Sequence, residues 1–358
     1  MKRKSVALFL PYLIVGGIER LYITYANHLT SLYDVTLIVC STEGEYAKDI
    51  SPEVTIVSLD GVRIRSSLFK LIKVLRHYRF DLVMGSNMLS NIILILASFF
   101  CRKTKIIVAQ HNYNNSENKH LGFYSRYSEA IIRFLYPRTD KILAVSKGIE
   151  EYLVNDIKIS PSKVEVVYNA VDIDDVKRKS IEFAHSLTFD YIIFVGRLTA
   201  VKNLPLLLSA FEKADIGDIN LVIVGDGPED EFVKKQAQDN KKSDKIHFLG
   251  SKSNPMPYVR GARCLVLPST SESFGLVLLE ALCLGTPVVS TPTKGALEVL
   301  DGCQSAFISS SFEDSHELAL LIEKAVEVEK SDTVETVNRF SIESSVKNLS
   351  TIFNKLMA

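Results

Sequence analysis

The stretch Cys264-Leu-Val-Leu-Pro268-Ser-Thr-Ser-Glu272-Ser-Phe-Gly275-Leu-Val-Leu-Leu-Glu280-Ala-Leu decides how this chain is read. An apolar run of strand length ends near Pro268. A polar loop carries Glu272 and Gly275, and a helix begins near Leu276, with Glu280 within about one turn of its N-terminus. The first N–H groups of a helix have no intrahelical partner and carry partial positive charge. A phosphate can sit on such amides while nearby carboxylates grip sugar hydroxyls. One carboxylate alone reads as dipole compensation or a solvated loop residue. Two of them in a strand–loop–helix setting predict a ligand site.

Outward from this stretch the chain alternates short β-branched runs with helical patterns. Strands are expected over 5–10, 35–39, 54–57, 82–85, 105–109, 141–145 and 164–168, with helices at 18–29, 68–78 and 124–135 among them. Residues 173–188 are polar without a strong apolar period and read as a linker. Strands resume at 191–195, 220–224, 245–249, 264–267, 287–290 and 306–308, and 342–357 reads as an amphipathic helix. Such alternation implies parallel sheets covered on both faces. The expected fold class is α/β with two doubly wound domains, 1–172 and 189–340, followed by a terminal segment 341–358. The length of 358 residues suits two domains.

Ligands bind beyond the carboxyl ends of strands in open parallel sheets, and chemically capable residues recur there. Gly196-Arg197 ends one strand, with Lys202 and Asn203 shortly after; a guanidinium fork and an ammonium suit a diphosphate. Gly225-Asp-Gly-Pro228 is a tight turn that shapes the wall of the site. Gly16-Gly17 precedes a helix and lets backbone amides approach an anion, without the spacing of a dinucleotide fingerprint. His111 follows a strand end, where a lone histidine is commonly structural. Ser86, Asn87, Ser146, Lys147 and Asn169 also follow strand candidates and carry weaker signals.

Together these motifs resemble the retaining nucleotide-sugar glycosyltransferases of family 4, of the GT-B fold, in which two Rossmann-like domains face a central cleft. The resemblance covers essentially the whole chain and is strongest over 191–300. It implies that Arg197 and Lys202 take the diphosphate and that Glu272 touches the donor sugar. The Phe274-Gly275-Leu276 backbone would run along sugar and phosphates, with Glu280 holding the ribose. Ser273 stands where many members have glycine. Gly196 and Asn203 flank the phosphate element, and Leu249 and Gly250 match the edge strand that pairs with the base. Gly16 and Gly17 match the loop over donor phosphates and acceptor, and His111 the histidine bordering the reacting sugar. The resemblance further implies an acceptor-binding first domain, a donor-binding second domain and a last helix packing back on the first.

The expected reaction moves a hexose or N-acetylhexosamine from a nucleoside-diphosphate sugar, with UDP favoured, to a saccharide acceptor on a lipid carrier. It belongs to surface polysaccharide, lipopolysaccharide or capsule assembly, with retention and without metal or other cofactor. A GT-B sugar-nucleotide epimerase and a catalytically silent glycosyltransferase-like subunit are the alternatives. A glycosidase pair must flank a glycosidic bond, whereas here cations indicate a phosphate leaving group. Asp172-Ile-Asp174 mimics a metal motif but lies in the expected linker and reads as solvated. The sugar, the acceptor and the linkage are expected to depend on the shape of loops such as 112–120.

Net charge is zero, yet residues 1–165 carry 22 Lys and Arg against 15 Asp and Glu, and the remainder 20 against 27. Residues 61–80 contain no acid and carry Arg63, Arg65, Lys70, Lys73, Arg76 and Arg79 on a helical pattern with an apolar face. Anionic headgroups or a lipid-linked diphosphate fit this excess, and the apolar run 92–100 with Arg102, Lys103 and Lys105 extends it. Peripheral association with the cytoplasmic face of a membrane is expected, and nucleic acid is not an expected partner. The basic, apolar start is read as a first strand rather than a secretory signal because Pro11 interrupts it. Five cysteines without a CxxC pair read as thiols of a reducing compartment.

Overall fold

The computed structural model describes residues 3–101, 103–113, 123–331 and 333–358, with the side chains of 123–126, 334 and 335 outside that description. The chain forms two compact units, Met1–Ala170 with Ile342–Ala358, and Val171–Ser341.

In the first unit seven strands form one parallel sheet: β1 Ser5–Phe9, β2 Asp34–Val39, β3 Thr55–Ser58, β4 Leu82–Gly85, β5 Lys105–Gln110, β6 Lys141–Ala144 and β7 Val164–Val166. Their order is β3-β2-β1-β4-β5-β6-β7. The apolar run near the start is therefore an interior strand, pairing Ser5 with Asp34 on one side and Val6 with Leu82 on the other. Helices cover both faces, which is why these strands are apolar at successive positions instead of alternating.

The last helix, Ile342–Met357, joins this unit. Ile342, Val346, Leu349, Ile352 and Phe353 repeat at helical spacing and bury into one core with Leu21, Tyr25, Leu29 and Tyr33. Two hydroxyls fix its register: Tyr25 Oη lies 2.8 Å from Ser345 Oγ, and Tyr33 Oη donates to Asn354 Oδ1 at 3.0 Å.

The second unit holds β8 Tyr191–Val195, β9 Asn220–Val224, β10 Ile246–Gly250, β11 Leu265–Leu267, β12 Val288–Ser290 and β13 Ala306–Ile308. All are parallel, in the order β10-β9-β8-β11-β12-β13. Each of the thirteen strands lies within two residues of its expected ends.

The expected linker at 173–188 is corrected. Ile173–Lys179 is a helix of the second unit, N-capped by Asp172, whose carboxylate accepts the Asp175 N–H at 2.9 Å. Asp174 and Asp175 occupy its first turn and Lys177, Arg178 and Lys179 its last, so charge matched to the helix dipole replaces a strong apolar period. Asp172 is thus a helix cap and not a free, solvated residue. His185 stacks on Tyr258 at 5.3 Å and lies 3.2 Å from Tyr191 Oη, which ties the following residues to the same unit.

Phe353 is fully buried beneath this arrangement. Phe353→Ala should lower the unfolding free energy of the first unit by about 3–5 kcal/mol, measured by urea denaturation.

Candidate functional site

The loop between β11 and the Leu276–Cys283 helix carries the decisive residues, and the structure organises them around Glu272. Lys202 Nζ forms an ion pair with Glu272 Oε1. Ser269 Oγ donates to the same oxygen at 2.8 Å. The Glu272 backbone carbonyl accepts the Gly295 N–H at 3.0 Å. Lys202 and Glu272 are 22 and 12 % exposed at their side chains, so the pair is only partly screened by solvent.

Phe274 turns its ring inward, edge-on to Phe340 at 5.3 Å, and anchors the loop through the core. Its side chain is therefore committed to the core. Gly275 is the N-cap of the Leu276–Cys283 helix, at φ +87°. Leu276 begins the helix, and Glu280 follows four residues later, half-buried.

Across the strand order, β8 delivers Gly196 and Arg197. Arg197 is exposed and makes no ion pair with any described residue. Lys202 ends a 3-10 turn, Ala200–Lys202, and Asn203 follows at φ +50°, a left-handed conformation that asparagine tolerates. Asn203 Nδ2 donates to the Phe312 carbonyl at 3.1 Å, so this side chain holds the loop. The Gly225 turn packs directly on this element. Gly225 has φ +138°, and a Cβ there would lie 1.9 Å from the Gly196 carbonyl oxygen. Only glycine permits that approach. β10 is the edge strand; its register with β9 skips Leu249, and Gly225 N–H donates to the Gly250 carbonyl at 2.9 Å.

In the first unit, Gly16 caps the Gly17–Leu29 helix with extended backbone, and the Glu19 carboxylate lies against Gly16. Burial raises the pKa of Glu19, against a lowering bond from its own backbone. His111 follows β5 and is buried, edge-on to Tyr22 at 5.8 Å. It lines a small pocket with Tyr22, Tyr25, Asn169 and Leu349. Neither ring nitrogen has a hydrogen-bond partner of acceptable geometry among the described residues. Burial pushes its pKa down to about 4, only partly opposed by the side chain of Asn169. At neutral pH the ring is uncharged.

The basic residues near 61–80 separate into two groups. Arg63, Arg65, Lys73, Arg76 and Arg79 are exposed. Lys70 is instead committed to Asp60 at 2.9 Å and the Leu59 carbonyl at 3.2 Å. Arg76 also turns toward Phe100, with its guanidinium 5.9 Å from the ring centre. The Leu68–Tyr78 helix buries Leu71, Ile72 and Leu75 but leaves Phe69 76 % exposed. Phe99 and Phe100 are also exposed. Among the described residues no helix is long and apolar enough to cross a membrane. Arg102 and most of the loop 112–120 lie outside the described residues.

Three residues around Glu272 escaped the sequence reading: Ser269, Thr291 and Gly295. Thr291 Oγ1 donates to the Ser269 carbonyl, and Gly295 lies in the first turn of the Lys294–Val299 helix. Serine three positions before a glutamate is a weak signal, and nothing local marks Gly295 as touching a loop more than 20 residues upstream.

Two all-parallel, doubly wound units define the GT-B architecture. Two family models match in tandem, Glycosyltransferase Family 4 over residues 15–175 and Glycosyl transferases group 1 over residues 175–344. The chain belongs to the family 4 glycosyltransferases of GT-B fold. It is 28% identical over 310 residues, 84% of either chain, to the Campylobacter jejuni N-acetylgalactosamine-N,N'-diacetylbacillosaminyl-diphospho-undecaprenol 4-alpha-N-acetylgalactosaminyltransferase. It is 25% identical over 257 residues, 67% of this chain and 69% of the other, to the Escherichia coli O-antigen biosynthesis glycosyltransferase WclY. Its fold is similar to that of Anabaena HepE in complex with UDP, with TM-score 0.78 and 18% identity over 98% of this chain and 100% of that one.

A Cβ at position 295 would sit 2.5 Å from the Phe274 nitrogen and 2.8 Å from the Glu272 oxygen, both backbone atoms. Gly295→Ala should therefore displace the Glu272 loop, measured as faster hydrogen exchange of its backbone amides, while circular dichroism retains the wild-type spectrum. His111 generates a second expectation. Below its unfolded pKa of about 6.5 the unfolded chain takes a proton that the folded state refuses until about pH 4. Stability from this group is thus complete above that unfolded value and falls as pH drops through the interval. In urea titrations from pH 7 to 5, His111→Gln should show a shallower decline than wild type, by at most about 1.4 kcal/mol per pH unit.

Proposed function

We propose that this glycosyltransferase moves a hexose or N-acetylhexosamine from a UDP-sugar to a saccharide on a lipid carrier, with retention at the anomeric carbon and without a metal. The observation that carries the reading is the convergence of Lys202 and Ser269 on Glu272, beside a helix N-terminus and an exposed Arg197. The matched Campylobacter jejuni relative is an N-acetylgalactosaminyltransferase whose acceptor is a diphospho-undecaprenol saccharide, and HepE binds UDP; these favour the acceptor and nucleotide assigned here. The O-antigen relative supports surface polysaccharide assembly of the lipopolysaccharide type.

In this mechanism Arg197 and Lys202 stabilise negative charge developing on the departing diphosphate, the role a metal ion takes elsewhere. Glu272 orients the donor sugar and Glu280 the ribose. The acceptor hydroxyl forms the new bond to the anomeric carbon on the face from which the phosphate departs, and the leaving phosphate oxygen takes its proton. No covalent bond to the enzyme forms. With a pKa near 4, His111 is too weak a base to take that proton at neutral pH, so its assigned role is positioning. The second unit serves the donor and the first the acceptor.

The first unit also carries the membrane-facing assignment. Exposed Arg63, Arg65, Lys73 and Arg79, with Phe69, Phe99 and Phe100, combine cations with aromatic rings suited to a headgroup layer. Each basic residue contributes about 1 kcal/mol near an anionic surface. This supports peripheral association at the cytoplasmic leaflet, where a lipid-linked acceptor would be met.

The decisive assay offers UDP-, GDP- and ADP-linked hexoses and N-acetylhexosamines with lipid-linked saccharide acceptors, with and without EDTA. Transfer from a UDP-sugar, undiminished by EDTA and absent without acceptor, is expected. Conversion of the donor alone would identify an epimerase, and EDTA-abolished activity restored by Mg²⁺ would end the metal-free reading. Sedimentation with anionic vesicles at low salt should capture the protein, and about 1 M salt should release it because the Debye length falls to about 3 Å.

A further inference from the structure

The hydroxyl of Ser269 has no part in the mechanism above, yet it is fully buried and donates to the residue assigned to the donor sugar. Ser269 Oγ and Lys202 Nζ converge on the same atom, Glu272 Oε1. No described residue bonds Oε2. Ser269 is itself fixed through its backbone. Its carbonyl accepts the hydroxyl of fully buried Thr291, and the neighbouring Thr270 N–H donates to the Val201 carbonyl at 2.8 Å.

The two donors to Oε1 differ in what competes for them. Lys202 ends a flexible four-carbon stem and carries a charge that a diphosphate also attracts. Ser269 is short and enclosed, and its hydroxyl has no other acceptor among the described residues. When Lys202 engages phosphate, Ser269 is the side chain that keeps the Glu272 carboxylate in one orientation.

We propose that Ser269 is a positioning residue for Glu272, holding Oε1 so that Oε2 is presented to a hydroxyl of the donor sugar. It sets the preference for the sugar conjugate over the free nucleotide. The proposal rests on the donor-site reading given above. It separates two parts of the binding energy, because Ser269 bonds neither Glu280 nor the Phe274–Gly275 backbone assigned to the nucleotide and phosphates.

Calorimetric titration of wild type, Ser269→Ala and Ser269→Thr against UDP, GDP, ADP and their hexose and N-acetylhexosamine conjugates tests it. Ser269→Ala should bind the free nucleotide within about twofold of wild type but the preferred conjugate about tenfold more weakly, the scale of one hydrogen bond to a charged group. Ser269→Thr, which keeps the hydroxyl, should recover most of that loss. Retained nucleotide binding itself reports that the variants are folded. Parallel weakening of nucleotide and conjugate in Ser269→Ala overturns the proposal, as does no change in either. Wild-type protein that binds none of the nucleotides or conjugates defeats the donor-site reading and the proposal with it, a result distinct from wild-type binding followed by parallel loss.

Discussion

The second unit depends on backbone meeting backbone at the ends of its strands. Gly225 packs on the Gly196 carbonyl where any Cβ would collide, and Gly295 does the same against Glu272 and Phe274. These contacts join strand-end segments in two pairs: Gly196 N–H bonds the Val224 carbonyl at 3.0 Å and Leu198 N–H bonds the Asp226 carbonyl at 2.7 Å, while Gly295 N–H bonds the Glu272 carbonyl at 3.0 Å. Such bonds satisfy amides that would otherwise be costly to bury. They also fix where Arg197, Lys202 and Glu272 leave the chain. A loop held this way presents its side chains from a rigid frame, which electrostatic stabilisation of a leaving group requires.

The ion pairs of the molecule differ in what they do because they differ in exposure. Lys70–Asp60 joins side chains 38 and 79 % exposed and adds little to stability. Lys202–Glu272 is far better shielded and shares its acceptor oxygen with a buried hydroxyl. There the same charges interact through a lower effective dielectric. In the proposed reaction a diphosphate would meet a cation already held near it and a carboxylate that also accepts from a second donor.

In the first unit the counterpart is a neutral ring. His111 lies at the end of β5 among Tyr22, Tyr25 and Asn169, and burial removes its charge. Leu349 from the last helix lines the same pocket, and Tyr25 bonds Ser345 of that helix. The terminal helix is thus part of the wall around the histidine and not a surface appendage. Its amphipathic spacing supplies the burial, and two tyrosine hydroxyls select its register.

The sequence by itself determined the strands, their parallel arrangement and which loops follow the strand ends. Buried parallel strands must be apolar on both faces, and the glycines, cations and glutamates that follow them sit at fixed chain offsets. The Glu272–Glu280 run, Gly196-Arg197 and the basic stretch 61–80 were legible for that reason. The polar segment after Asp172 was misread because a helix stabilised by its cap and its charge order needs no strong apolar stripe. Only the tertiary structure decided that Lys202 and Ser269 meet on one oxygen of Glu272, that Lys70 is spent on Asp60, and that Gly295 supports the loop beginning at Pro268. The Lys202–Glu272 and Gly295–Glu272 contacts join residues that follow different strands, and their adjacency follows from the order β8-β11-β12 in the sheet, which no local pattern along the chain encodes.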